Sequence, residues 1–223
     1  MRARDAHPDY IEAKSGDAEA ALRLTQAFIT SAALTSIEQM LRGRRPYLIA
    51  VSAIEAAGFN AIPRAMARTI ADELGLALVT GVVQANTVSH TRASGWHRLR
   101  FRAEFDGTIQ PGVDYWIIDD HVGLGSTMAE LRAFVHAQHG TIVGASTLTA
   151  SRHSEIIALT NDTLSKLRVK HGQTLEDFWL EEFGYGLAGL TEPEAGYLLR
   201  AASVDAIRAR LAETAGDEGR QGF

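Results

Sequence analysis

Apolar residues in this chain gather in short unbroken runs, separated by stretches in which they recur every three or four positions. The runs stand at residues 47–53 (YLIAVSA), 77–83 (ALVTGVV), 115–118 (YWII) and 141–148 (TIVGASTL). A short apolar run closed by a turn signal reads as a strand buried on both faces. The periodic stretches read as helices. Met66, Ile70 and Leu74 are spaced by fours within residues 62–74, and Met128, Leu131 and Val135 share one stripe, with Phe134 beside it, within residues 128–139. His139-Gly140 closes that second helix in the usual way for a C-terminus.

Residues 10–41 are rich in helix formers and read as two helical pieces, with Leu24, Phe28, Leu34, Ile37 and Leu41 at near-helical spacing, ended by Gly43-Arg44-Arg45-Pro46. Strands alternating with helices predict an α/β fold: a parallel twisted sheet with helices on both faces and a site at the carboxyl ends of the strands. The length of 223 residues suits one domain with a core over about residues 46–150. Residues 9–43 and 153–213 supply helical cover, and residues 214–223 a solvated tail.

In the second half, residues 156–159, 163–169 and 175–183 read as short helices, with Phe178, Trp179 and Phe183 as a core aromatic cluster. Thr191-Glu192-Pro193-Glu194 is a capping box that opens a final helix through about Leu211.

The chemistry concentrates where the run 115–118 meets Asp119 and Asp120 and then Gly123, Leu124, Gly125, Ser126 and Thr127, ahead of the helix at 128. The strand is expected to end in this charge. Glycines there let the backbone approach an anion, the hydroxyls of Ser126 and Thr127 add donors, and a helix start aims free N–H groups at it. Ionised carboxylates only accept hydrogen bonds, so Asp119 and Asp120 suit vicinal hydroxyls or the water shell of a magnesium ion. A sugar phosphate would satisfy both halves. A P-loop is disfavoured because no lysine stands between Gly125 and Ser126. A methyltransferase-type Rossmann site competes on the glycine pattern alone, although the next strand ends in Thr149-Ala150-Ser151 and not in an acidic residue.

The order of apolar strand, Asp119, Asp120, four residues, Gly125, one residue and Thr127 resembles the phosphoribosyl pyrophosphate (PRPP) fingerprint of the type I phosphoribosyltransferases. The whole chain is also similar to phosphoribosyltransferase-like modules of phages and mobile elements. His121, Gly123 and Leu124 depart from the commonest form of the motif. The resemblance implies that Asp119 and Asp120 hold the ribose hydroxyls and that residues 123–127 hold the 5′-phosphate. It further implies a pyrophosphate loop at Glu55, Ala56, Gly58 and Asn60, and a flexible loop over residues 84–112 that closes on the ligand.

In that pyrophosphate loop Gly58 and Asn60 are the residues most able to take positive φ, and Asn60 also suits an N-cap. Arg64 could face the pyrophosphate, whereas Arg68 reads better as a solvated helix face. His90, Arg92, His97 and Arg98 are the loop-tip candidates, with His90 and Arg92 assigned to catalysis beside the aspartates. The stretch 99–105 alternates as a β-ribbon, with Arg100 and Arg102 on its wet face.

Arg152 is the acceptor-side residue; purine-using relatives carry a lysine near this strand exit and none stands here. His121 and His153 are the guesses for a general base. The expected activity is transfer of the phosphoribosyl group from PRPP to a nitrogen of a base-like acceptor, with Mg2+ carried by PRPP and water, in a homodimer with a helical hood. A binding module that senses PRPP or a nucleotide, and a hydrolase of sugar phosphates, are the other readings.

Composition narrows the partners. Net charge is −5, hydrophobic residues make 46% and charged residues 22%, which suits a globular chain without a general attraction to nucleic acid. Absence of cysteine removes disulfides and thiolate chemistry and favours a cytoplasmic location. Residues 1–8 lack a signal-peptide core, and no apolar run approaches the roughly 18 residues of a membrane span.

Overall fold

The computed structural model describes residues 4–55, 58–86, 95–152, 154 and 156–221. A 3-10 turn at Arg4–Ala6 leads to α1 (Tyr10–Lys14), α2 (Ala18–Phe28) and α3 (Ser31–Leu41). The expected two helical pieces are therefore three. Asp17 accepts a hydrogen bond from the Ala20 amide and Thr30 one from the Ala33 amide, so each restarts a helix that apolar periodicity alone would run through.

Next come β1 (Tyr47–Ala50), β2 (Ile54–Glu55), β3 (Gly58–Phe59), α4 (Ile62–Leu74), β4 (Val83–Gln84), α5 (Gly95–Arg100) and β5 (Phe105–Asp106). The central strand is β6 (Asp114–Val122), followed by α6 (Ser126–Ala137) and β7 (Thr141–Ala150). The chain closes with α7 (Asn161–Phe183), α8 (Glu192–Arg200) and α9 (Val204–Gln221).

The chain packs as two compact units. The first comprises Met1–Ser89, Ala103–Val122 and Glu130–Ala150. Its sheet is parallel in the order β1-β6-β7, with Ile117 opposite Ile49 and Asp119 opposite Thr147. Tyr115, Trp116, Ile117 and Ile118 are all buried, as a strand covered on both faces requires. Alternate side chains point to opposite faces. Trp116 and Ile118 join Ile37 and Leu41 of α3 and Met66 and Ile70 of α4 in one core cluster. Tyr115 and Val135 of α6 converge, with Ile109, around Gly140 on the other side. Helices thus cover both faces, and the α/β class expected from the alternation of runs is the one observed.

Several boundaries differ, each for a local reason. The 77–83 run meets β1 through one bridge, Leu48 to Leu78, and then Gly81, at φ 92°, redirects the chain so that Val83 and Gln84 pair with β5. The loop expected before α4 is a small hairpin of β2 and β3. His139, with φ 65°, takes the left-handed turn after α6, a place usually given to glycine. Gly140 serves close packing instead.

The second unit comprises His90–Arg102, Gly123–Ala129 and Ser151–Phe223. Its core joins Leu99 of α5 to Leu167, Leu175 and Trp179 of α7, Leu198 of α8, and Ile207 and Leu211 of α9. The ribbon expected at 99–105 is replaced by α5, because Leu99 is needed in this core at helical spacing from Trp96. The two short helices expected at 163–169 and 175–183 are the two arms of α7, parted by a kink at Gly172, whose backbone is non-helical with φ 64°, whereas no helix forms at 156–159, where Ala158 bridges to Thr191. The last helix is two, broken at residues 201–203, and α9 runs on through Gln221 where a tail was expected. Trp179 and Phe183 stack within the core at a centroid distance of 4.3 Å, as anticipated for a packing cluster. Among the described residues no helix is long and apolar enough to cross a membrane.

The close approach of Trp116 to β7 generates a test of the packing. A Cβ added at Gly144 would lie 2.2 Å from the Trp116 ring, whose indole N–H also donates to Ser146 Oγ at 3.0 Å. Gly144→Ala should cost about 1–3 kcal/mol, the range for overpacking a buried contact. Urea unfolding reads this directly, and an unchanged midpoint would show that the indole repacks freely.

Candidate functional site

Asp119 and Asp120 extend β6 beyond its apolar run, and both are buried. The strand does not end in charge, as the sequence suggested; it continues through Val122, held by pairing of His121 with Thr149 and Val122 with Ala150 on β7. Asp119 Oδ1 accepts a hydrogen bond from the Asp120 amide at 2.8 Å. Burial, and then the charge of Asp120, raise the Asp119 carboxyl well above the usual carboxylate range, against the opposing pull of that amide and of Lys14. One member of the pair therefore tends to keep its proton.

Asp120 is held by cations from the amino-terminal segment. Arg4 Nη1 donates to Asp120 Oδ2 at 2.7 Å and to its backbone carbonyl at 3.0 Å, and Lys14 Nζ stands 3.5 Å from Oδ2. Asn60 Nδ2 donates to Asp120 Oδ1 at 3.3 Å. Arg4 is only 4% exposed; its guanidinium also donates to Asp5 and to the Tyr10 hydroxyl, and it lies over the Tyr10 ring. Sequence reasoning missed Arg4 and Lys14. A cation many positions away gives no periodic signal, and only the packing of α1 and α2 against Ala61 and Ile62 brings this segment to the end of β6.

The predicted pyrophosphate loop is placed in part. Gly58 has the expected positive φ, 120°, in β3, while the backbone of Glu55 lies in β2. Ala56 lies outside the described residues, as do His90, Arg92 and His153. Asn60 does not take the positive φ foreseen for it; among the described residues Arg42 and His139 are the non-glycine ones that do. The N-cap of α4 is Ala61 and not Asn60; Asn60 Oδ1 accepts from the Ile62 amide at 3.2 Å just ahead of the helix, and the same side chain reaches Asp120. Arg64 donates to Ser52 Oγ at 3.3 Å and lies over the Phe59 ring, whereas Arg68 pairs with Asp72 on the exposed face of α4.

Within the second unit the glycine turn is tied back by its carbonyls. Ser154 Oγ donates to the Gly123 carbonyl, and Thr191 Oγ1 donates to that of Leu124 at 2.6 Å. Gly125 has φ 81°, and a Cβ there would lie 2.8 Å from Ile157. Residues 126–129 begin α6, whose first amides have no acceptor within the helix. Arg98 packs directly on Gly123, its Nη1 only 2.4 Å from where a Cβ would stand. The turn thus combines orphan amides with an adjacent guanidinium, the features that bind anions.

Ser126, expected to add a donor to a phosphate, instead gives its hydroxyl hydrogen to Glu194 Oε1 at 2.5 Å. Glu194 is fully buried, pairs with Arg102 at 3.0 Å and closes the capping box on the Thr191 amide. Arg102 is accordingly a partner of this buried acid and not the wet face of a ribbon, while Arg100 pairs with Glu182. The motif at 191–194 was legible as a helix cap. Its second use, by Ser126, was not.

His121 Nδ1 lies 3.1 Å from the Thr149 carbonyl and 2.9 Å from its hydroxyl. Arg152 is exposed.

No family model matches the chain. It is 41% identical over 205 residues to protein TraN of Escherichia coli, covering 92% of this chain and 46% of that protein. An uncharacterized protein of Haemophilus influenzae is 35% identical over 130 residues, covering 58% of this chain and 29% of that protein. The chain therefore spans less than half the length of these relatives. Among solved structures, an adenine phosphoribosyltransferase is similar with a TM-score of 0.41 and 17% identity, over 58% of this chain and 71% of that one. The adenine phosphoribosyltransferase of Thermoanaerobacter pseudethanolicus gives a TM-score of 0.38 and 20% identity, over 59% and 72%.

The raised Asp119 sets a pH dependence. Between the ordinary carboxylate value, about 3.9, and the higher folded one, the native state holds more protons than the unfolded chain, so stability falls as pH rises through that window. Asp119→Asn keeps an acceptor for the Asp120 amide and removes the titration. The variant should gain on the parent progressively from pH 4 to pH 8 in paired thermal melts. A difference that does not change with pH would contradict the assignment.

Proposed function

We propose that this chain transfers the 5-phosphoribosyl group of PRPP to a nitrogen of a base-like acceptor, releasing pyrophosphate. The observation that carries the reading is the buried Asp119 and Asp120 pair at the carboxyl end of a central parallel strand, followed in the chain by a glycine turn and a helix start. In this reading the ribose hydroxyls belong to Asp119 and Asp120. The 5′-phosphate belongs to the run 123–127 that follows them, where the amides of Gly125, Ser126 and Thr127 and the guanidinium of Arg98 supply positive charge.

The reaction is a displacement at the anomeric carbon. The nitrogen lone pair of the acceptor forms the new C–N bond as the bond to pyrophosphate breaks, and pyrophosphate leaves with the electron pair. The acceptor proton passes to solvent or to a base. Positive charge develops on the ribose in the transition state, and ionised Asp120 favours it electrostatically. Positioning supplies most of the remaining acceleration, so no nucleophilic side chain is needed. His90 and Arg92 are assigned to the leaving group, and Arg152 to the acceptor side.

Magnesium would enter with PRPP. Among the described residues no three His, Cys, Asp or Glu side chains gather as a metal site, so its contact with the protein would run through water to the Asp120 carboxylate. Bound there, it would neutralise pyrophosphate charge.

A non-catalytic PRPP- or nucleotide-binding module is the second reading, and one observation favours it. Asp120 and Ser126, both counted on for ligand, already hydrogen-bond to Arg4 and Glu194.

Calorimetric titration with PRPP and Mg2+ tests the site, with Asp119→Asn/Asp120→Asn as control. The parent should bind and the folded double variant should lose binding by about a hundredfold, the loss expected when one charge-assisted and one neutral hydroxyl contact go. Equal affinity in the two proteins would sink the assignment. Gly125→Val should also abolish binding by blocking the turn. Pyrophosphate release on addition of nucleobases then separates the enzyme from the binding module: binding without turnover across a broad acceptor panel supports the second reading.

A further inference from the structure

The contact between the amino-terminal segment and Asp120 has a use beyond holding the fold together. Arg4 Nη1 occupies Asp120 twice, at Oδ2 (2.7 Å) and at the backbone carbonyl (3.0 Å). A carboxylate oxygen offers two acceptor directions, and at Oδ2 Arg4 (2.7 Å) and Lys14 (3.5 Å) both face them, so a sugar hydroxyl that donates there competes with these cations. Both cannot be served at full strength.

The elements that carry this contact suit release. Arg4 sits in a three-residue 3-10 turn, tied to the following helix by two backbone bonds, His7 N to Arg4 O at 3.1 Å and Tyr10 N to His7 O at 3.0 Å, and by the neutral contacts of its guanidinium with the Tyr10 hydroxyl (3.2 Å) and ring. Beyond it, α1 is anchored by Ala13 in the core with Ala20, Ala21 and Leu24. The turn can therefore leave while α1 stays. Lys14, on α1, lies 3.5 Å from the same Oδ2 and remains as a counter-charge when Arg4 departs. Opening does not strand a buried unpaired carboxylate, which would otherwise make it prohibitive.

We infer that the Arg4–Ala6 turn is a latch: Arg4 closes the Asp120 carboxylate in the free protein, and sugar-phosphate binding requires its displacement. This inference rests on the reading that Asp120 binds the ribose of PRPP. A ligand that binds only the open form has its apparent affinity reduced by the open fraction. Asp5 holds Arg4 Nε and Nη2 at 3.1 and 3.0 Å, so it moves with the turn and does not oppose release.

The experiment is titration of the full chain with PRPP and Mg2+, comparing the parent with Arg4→Ala and with Arg68→Ala, an exposed arginine paired with Asp72, as a charge-matched control. Arg4→Ala should bind about tenfold tighter, the factor for a latch closed nine-tenths of the time, while Arg68→Ala matches the parent. Hydrogen exchange over residues 4–10 should quicken when PRPP is added to the parent. It should quicken also, without ligand, in Asp120→Asn. Equal or weaker binding by Arg4→Ala overturns the latch and leaves the functional reading standing. If PRPP binds neither protein, the functional reading fails and the latch is judged by ligand-free exchange in Asp120→Asn, where an unchanged rate overturns it.

Discussion

Two adjacent carboxylates buried at the end of a strand cannot both ionise without help, and much of the first unit is arranged around that constraint. Desolvation of an ion costs several kcal/mol even after relaxation, and a like charge next door adds to it. The protein answers in two ways. Asp120 is paired with Arg4, Lys14 and the Asn60 amide, while burial and its neighbour push Asp119 towards its protonated form, where it leans on the Asp120 backbone. The hairpin of β2 and β3, the start of α4 and the first two helices contribute to placing those partners. Deep burial makes the arrangement sensitive, because at low dielectric each partner counts for more than it would on a surface.

A comparable economy governs the second unit. Its buried acid, Glu194, serves as the N3 residue of a capping box, as the acceptor of Ser126 and as the partner of Arg102. Thr191 caps α8 and also holds the Leu124 carbonyl. With Ser154 on the Gly123 carbonyl, the backbone acceptors of the turn are occupied by side chains, and its electrostatics are left to amides and to Arg98. A turn fixed by its carbonyls holds its amides in place without help from a ligand.

The central strand buried on both faces, the α/β class and the burial of an acidic pair ahead of a glycine turn were legible because an unbroken apolar run and the succession of Asp119, Asp120, Gly125 and Thr127 are local features. The failures cluster where two local signals compete. Residues 99–105 alternate well enough for a ribbon, yet Leu99 is buried with Trp179 and Leu198, and that burial selects a helix. Asp17 and Thr30 divide a stretch that periodicity would run together. Asn60 could have turned left-handed, but its side chain had two better uses, the Ile62 amide and Asp120.

By itself the sequence determined the central buried strand, the apolar helical stripes of α4 and α6, and where carboxylates and glycines meet, because those properties depend on neighbours within a few residues. Only the tertiary structure decided what those groups touch. Arg4 lies 116 positions from Asp120 and Glu194 lies 68 from Ser126, and no spacing rule spans such distances. The partners were chosen by the cores that dock α1 and α2 beside α4 in one unit and α8 beside α5 and α7 in the other. Side-chain charge is written in the chain, but whether it faces water, a ligand or another charge is settled by packing.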